Sequence, residues 1–253
     1  MVSKRAREKI ILAIILLILV VVNYGFIDGF LEKKFMDEGA ILVDVERVID
    51  GDTLVVNGSS IRLLGINSPE KGEIYSVEAT VFLEELVMNK SIVLRSTGKD
   101  RYYRELGYLF DVESRKNINL EIVKNGYANF YFPSGKDEYY DEFVKGWEEC
   151  LKKGVNLCEP STNECSECIK LEEWGYNKNT TLYNTCEIEC NLEGWSIKDE
   201  GRKKFVFEDF NLEPGEGAQV NAEAFGVDYV WTKSGDSIFL RDDEGMLVVY
   251  DSY

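Results

Sequence analysis

The chain has 253 residues, enough for two domains of the usual ~100–200 residues each, and it carries a formal net charge of −17 with no histidine. The missing histidine removes Ser-His-Asp and Cys-His nucleophilic schemes and any histidine-ligated zinc site. The charge is uneven, with 6 basic against 5 acidic residues over 1–41, 15 against 21 over 42–160, and 8 against 20 over 161–253. Such a surface lacks the broad basic footprint of a protein that coats DNA loosely, but a few local arginines could still grip one phosphate.

The N-terminus sets Lys4, Arg5, Arg7 and Lys9 against Glu8, and an apolar run follows from Ile10 to Val22. Tyr24, Phe26 and Ile27 extend it, interrupted only by Asn23 and Gly25. About 17 helical residues at ~1.5 Å each give ~26 Å, just enough for a thin bilayer. Residues 1–27 are therefore predicted to be an N-terminal transmembrane helix acting as a signal anchor. The positive flank would stay inside and both domains would lie outside the cell membrane. A cleaved signal peptide, giving a secreted protein, is the competing reading, but no small-x-small site follows the core. Residues 28–40 read as a polar tether.

Residues 48–70, VIDGDTLVVNGSSIRLLGINSPE, read as a hairpin. Asp50-Gly51-Asp52 makes a tight acidic bend, and Asn57-Gly58 supplies the residues most tolerant of positive φ. The return strand Ile61–Ile66 is apolar except for Arg62, a cation that must reach a partner or line a site. The hairpin folds Asn67, Ser68, Pro69 and Glu70 back near Asp52. Acidic groups, neutral oxygens and a guanidinium then converge, as a metal and a phosphate together require. An ordinary strand pair with a solvated acidic turn is the simpler alternative.

Further along, Glu73–Asn89 shows helical spacing with one apolar stripe. Ser91–Thr97 and Glu105–Asp111 read as strands joined by GKDRYYR. Asn117–Gly126 is a second helix with Asn117 or Asn119 as cap and Gly126 as stop. Asp137–Lys153 is a third, its stripe formed by Tyr140, Phe143, Val144, Trp147 and Leu151. Five strands, one inserted helix and two trailing helices suit a small Greek-key barrel of the OB type.

The ordered motifs IDGDT, IRLLGINSPE, DRYYRELGY and NLEIVKNGYA resemble the staphylococcal nuclease (thermonuclease) family over roughly residues 42–158. The resemblance implies an OB-fold-type barrel and a calcium-dependent phosphodiesterase acting on DNA and RNA. By motif position it implies that Asp52 is the carboxylate on Ca2+ and that Ser68 offers its backbone carbonyl. Arg62 and Arg104 would hold the scissile phosphate, and Glu70 would orient or deprotonate the attacking water. The chemistry is coherent in its own terms. Calcium prefers oxygen ligands, a metal and two arginines can neutralise charge growing on phosphate oxygens, and a guanidinium fork matches phosphate geometry. Asn67 departs from the family pattern, which has a second metal-ligating aspartate there. An amide oxygen can still coordinate, but the site loses a full negative charge, so weaker calcium binding is expected, with Asp50 partly compensating. Tyr102, Tyr103, Tyr108, Tyr127 and Tyr131 could stack on bases or, the reading favoured for most of them, fill a barrel edge.

Cys150, Cys158, Cys165, Cys168, Cys186 and Cys190 all fall in the last 104 residues. Beyond a membrane anchor an even count reads as three disulfides, with Cys150–Cys158 as the one pairing ventured. The Cys165-x2-Cys168 and Cys186-x3-Cys190 spacing makes a four-thiolate zinc site the rival. After a linker over 159–168, the sequence breaks into short strands: IKLEEW, TTLYN, GWSIKD, KFVFE, DYVWT, SIFLRD and MLVVYD. These suggest an antiparallel sandwich. NLEGWSIKDE, KFVFEDFNLEPGEGAQV and SGDSIFLRDDEGMLVVYDSY resemble the lamin-tail domain over 169–253, which implies an all-β immunoglobulin-like fold and a binding or localising module of unknown partner. Asp242-Asp243-Glu244 reads as a plain turn, with calcium binding as the alternative.

The whole is expected to be an N-terminal transmembrane helix, an α+β OB-fold-type β-barrel with three helices over 41–158, and the sandwich over 169–253. Its expected function is that of a membrane-anchored, outward-facing, calcium-dependent nuclease acting on nucleic acid. The alternative is a surface binding protein whose barrel has lost activity.

Overall fold

A computed structural model describes residues 4–22 and 39–253. Helix α1 (Lys4–Val22) covers the apolar run, with Ile10, Ile14 and Leu17 all exposed. Its opening turns hold Lys4, Arg5, Arg7, Glu8 and Lys9. Among the described residues no helix is long and apolar enough to cross a membrane. This falls short of the predicted transmembrane helix; its extension through residues 23–27, and the tether up to residue 38, lie outside the described residues.

The first domain is built on β1 (Ala40–Val43), β2 (Val45–Asp50), β3 (Thr53–Val56), β4 (Ser59–Leu63) and β5 (Gly65–Asn67), followed by helix α2 (Ser76–Val87). Next come β6 (Ile92–Lys99), β7 (Glu105–Asp111), helix α3 (Ile118–Lys124), β8 (Asn129–Tyr131) and helix α4 (Tyr140–Lys153). Six strands form one sheet in the order β1-β6-β7-β4-β3-β2. Its two edge strands, β1 and β2, are separated in sequence by Asp44 alone. So short a link forces the sheet to curl until its edges approach, giving a half-barrel with helices, as expected. All its pairings are antiparallel except β4 with β7, and β5 pairs separately with β8.

Local chemistry accounts for the turns. Asn57 (φ 49°) and Gly58 (φ 72°) both take the left-handed conformation, the signature of a two-residue hairpin turn. Helix α2 starts later than its periodicity suggests because Tyr75 sits at φ 63°, which a right-handed helix cannot contain. Asn117 caps α3 by accepting from Leu120 N–H. Asn119 is instead fully buried and knits β7 to β4, accepting from Leu109 N–H and donating to Leu64 and Gly107 carbonyls. Leu54, Ile61, Leu63, Leu83, Ile92, Leu94, Phe130 and Phe143 fill the barrel.

The tail is all-β. Strands β9 (Ile169–Glu173), β10 (Thr180–Asn184) and β15 (Gly217–Val220) make one sheet. Strands β12 (Ser196–Lys198), β13 (Lys204–Val206), β16 (Ser237–Arg241) and β17 (Leu247–Ser252) make another, in the order β13-β12-β16-β17. β11 (Cys190–Asn191) and β14 (Asn211–Leu212) form a short ladder. The segment DYVWT is not a strand; Val230 and Trp231 are buried from turns. Asp242 closes the β16–β17 turn by accepting from Met246 N–H, so the acidic triplet is a turn. All six cysteines are paired, as Cys150–Cys158, Cys165–Cys190 and Cys168–Cys186. This corrects the zinc alternative, because a disulfide sulfur is no longer a thiolate ligand.

The two domains are packed together. Trp147 of α4 is fully buried, with its ring against Phe239 and Tyr250 of the tail at 5.5 and 5.7 Å. Arg241 donates to the Leu157 and Gly245 carbonyls at 2.8 and 3.0 Å. Burial pulls its pKa down to about 10, opposed by Glu73, so it stays charged at neutral pH.

Candidate active site

The site grows from the β2–β3 bend. Gly51 lets that bend press against its neighbours: a Cβ there would stand 2.7 Å from Ala79 Cβ and 2.8 Å from Ser68 Cβ. The next residue, Asp52, is only 4% exposed. Its Oδ1 accepts from Thr53 Oγ1 at 3.0 Å and pairs with Arg62 Nε at 3.1 Å. Its Oδ2 accepts from both Ser68 N–H and Ser68 Oγ at 2.9 Å. Arg62, itself 8% exposed, donates further to the Leu63 and Ile66 carbonyls. The isolated cation in an apolar strand thus finds the partner its burial demands. Asp52, Arg62 and Ser68 are one hydrogen-bonded cluster, although Ser68 meets Asp52 through its N–H and hydroxyl, not through its carbonyl.

Asp50 stands beside this cluster and accepts from Asp52 N–H at 3.1 Å. Burial, then the charge of Asp52, raises its pKa above the usual aspartate value. Two carboxylates that repel one another in a half-desolvated bend are a natural seat for a divalent cation. Among the described residues no three Asp, Glu, Cys or His side chains form a metal-holding group. Any ion here would therefore rest on these two carboxylates plus neutral oxygens.

Arg104 is reached through strand register. Arg62 lies opposite Leu106 in the parallel β4–β7 pair. Arg104 stands one residue ahead of β7 (Glu105–Asp111), at the end of that strand which borders Arg62. Its guanidinium pairs with Asp100 at 2.8 Å and lies over the exposed Tyr102 ring. Tyr102 and Tyr103 are exposed beside this arginine, whereas Tyr108 is buried in the barrel and Tyr127 packs on Phe82.

Glu70 follows Ser68 by two residues, so their Cα atoms are within about 7 Å. Its carboxylate pairs with Arg202 of the tail at 2.8 Å. Asn67 is also turned toward the tail, with Nδ2 donating to the Gly201 carbonyl at 2.9 Å and more weakly to Glu200. Its Oδ1 is the one side-chain atom it can still offer to a metal. Sequence reasoning missed Thr53, whose hydroxyl was legible only as part of a strand. It also missed the tail residues Glu200, Gly201 and Arg202, which sit in a charged turn like many others.

Residues 60–159 match the family described as Staphylococcal nuclease homologue; Asp52 and Thr53 lie just ahead of the matched stretch. The chain is 35% identical to an uncharacterized endonuclease of Haemophilus influenzae over 45% of its own length and 64% of that protein's. It is 33% identical to endonuclease YhcR of Bacillus subtilis over 39% of this chain and 10% of that one, so it spans less than two thirds of either relative. It is 26% identical to the thermonuclease of Staphylococcus intermedius, over 62% of this chain and 99% of that protein. The barrel carrying Arg62, Glu70 and Arg104 is thus similar to staphylococcal nuclease homologues over residues 60–159, and it is joined here to a disulfide-stapled β tail.

Proposed function

We propose that this chain is a calcium-dependent nuclease that hydrolyses phosphodiester bonds of DNA and/or RNA. The observation that carries the reading is the buried Asp52–Arg62–Ser68 cluster, set beside the Glu70 loop in a domain similar to named endonucleases. The donor set suits calcium: Asp50 and Asp52 carboxylates, the Asn67 amide oxygen, the Thr53 hydroxyl and the Ser68 carbonyl offer oxygen alone. A bound calcium supplies positive charge at the phosphate oxygens.

The chain's own groups do the rest. Arg62 has five N–H donors, of which three are committed to Asp52, Leu63 and Ile66. Two remain for a non-bridging phosphate oxygen, held by a guanidinium that is already fixed in place. Arg104, just ahead of the neighbouring strand β7, offers a second fork. Glu70 takes a proton from the attacking water as the water oxygen bonds to phosphorus and the ester P–O bond breaks, the leaving alkoxide taking its proton from solvent. Tyr102 and Tyr103 are free of the barrel edge and present faces on which bases can stack.

Placement outside a membrane, held by residues 1–27, belongs to the same proposal. Three disulfides suit an oxidising compartment, and calcium is plentiful there. The tail serves as a binding or localising module of the lamin-tail kind.

A second reading, an inactive binding protein, is favoured by two observations. Asp52 already accepts four bonds, and the Asn67 nitrogen is engaged by the tail. Incubating the protein with single- and double-stranded DNA and with RNA, with calcium or with a chelator, separates the two. Calcium-dependent cleavage supports the nuclease; binding without cleavage supports the module.

A further inference from the structure

The tail meets the barrel at the segment that bears the proposed catalytic carboxylate. The turn between β12 and β13, residues 199–203, reaches over residues 67–73. Arg202 pairs with Glu70 at 2.8 Å. The Gly201 and Glu200 carbonyls receive the Asn67 amide, and Glu200 O also receives Asn129 Nδ2 at 2.8 Å. Behind them, Glu73 is held by Lys204 at 3.0 Å and Lys198 at 3.4 Å, and its Oε2 accepts from Glu70 N–H at 3.0 Å. Tail cations therefore reach Glu70 twice, once directly at its carboxylate and once through Glu73 at its backbone.

The character of these contacts decides between a clamp and a removable lid. The domains are joined by the buried ring of Trp147 and by the buried Arg241, groups that would be left exposed or unpaired on separation. An interface of that kind stays closed. The Arg202–Glu70 pair on top of it is half exposed, and exposed ion pairs contribute ~1 kcal/mol or less to stability. Its value is then geometric: it restricts the rotamers of a carboxylate that has no other side-chain donor among the described residues, while leaving one face of that carboxylate to solvent.

We propose that the tail turn 199–203 is part of the catalytic apparatus, with Arg202 as the positioning residue that aims Glu70 at the water. This rests on the nuclease reading above. A general base displaced by about 1 Å loses on the order of 10²-fold in rate, and partial freedom costs less. Arg202→Ala in the full chain is expected to lower kcat about tenfold with KM changed less than twofold, a split that marks loss of a transition-state interaction. Arg202→Lys should recover most of the loss. In a Glu70→Gln background Arg202→Ala should have no further effect, because Arg202 acts through Glu70. A merely structural role would instead lower both backgrounds alike, together with the melting temperature.

If the unmodified chain cleaves and Arg202→Ala is within twofold of it, the positioning role is overturned and the nuclease reading stands. A rise in kcat would overturn it too, by showing that the pair restrains Glu70. A loss of equal size in the Glu70→Gln background with the melting temperature unchanged would reassign Arg202 to direct contact with substrate and end the positioning claim. If the unmodified chain does not cleave under any divalent condition, the nuclease reading itself falls.

Discussion

Replacing Arg62 by Met keeps an unbranched stem as far as the Nε position and removes the guanidinium with its charge and donors. Asp52 would remain 4% exposed, with Thr53 and Ser68 still donating to it but with its Arg62 countercharge gone. The Leu63 and Ile66 carbonyls would lose their guanidinium donors. Breaking a buried pair by removing one partner costs about 3–5 kcal/mol, and the surviving donors on Asp52 place this case at the lower end, near 3 kcal/mol. At about 2–4 °C per kcal/mol for a chain of this size, the barrel transition should fall by roughly 6–12 °C in a calorimetric scan at neutral pH. Activity should fall at least ~10²-fold, as for removal of a fixed oxyanion donor. A shift under ~2 °C would refute the claim that Arg62 anchors the site, whatever happened to cleavage.

Gly51→Ala should cost about 1–3 kcal/mol and lower cleavage, because its new methyl would displace Ser68 from Asp52; a urea midpoint equal to wild type would contradict this. Asn67→Asp sets a carboxylate against the Gly201 and Glu200 carbonyls. It should therefore destabilise the calcium-free protein by ~1–3 kcal/mol, with added calcium recovering part of the loss; a variant more stable than wild type in chelator would refute the contact. The Glu200 carboxyl is pushed up to about 8 by burial first, then by Asp236 and Asp199, against the Ser237 hydroxyl. The folded state thus binds this proton more tightly than the unfolded chain, whose glutamates titrate near 4.5. Stability should fall as pH rises from about 4.5 to about 8 and then level. Glu200→Gln should flatten that decline, and parallel melting curves for variant and wild type across the window would exclude it.

Local signals carried the barrel far. Asn57-Gly58 announced the hairpin, the otherwise apolar strand around Arg62 marked a cation needing a partner, and the Tyr140–Leu151 stripe gave α4. What the sequence did not display is long-range. Nothing near Asn67 indicates that its amide points to a carbonyl 134 residues away, nor does the α4 stripe reveal that Trp147 packs on Phe239 of another domain. The segment DYVWT has strand-like composition, but tertiary burial of Val230 and Trp231 outweighs β propensity there. The helix over 73–75 failed for a single-residue reason, the left-handed Tyr75. For the site, the residue types and order were readable, whereas the engagement of Asn67 and Glu70 by the tail was not.

The most direct test of the account is the calcium dependence of cleavage of a fluorogenic oligonucleotide by the full chain and by Asp52→Asn. The expected result is saturable activation in the wild type, abolished by chelator, with the half-saturating calcium concentration raised at least ~10-fold once the carboxylate charge is gone. Cleavage indifferent to calcium, or identical calcium curves for the two proteins, would contradict it.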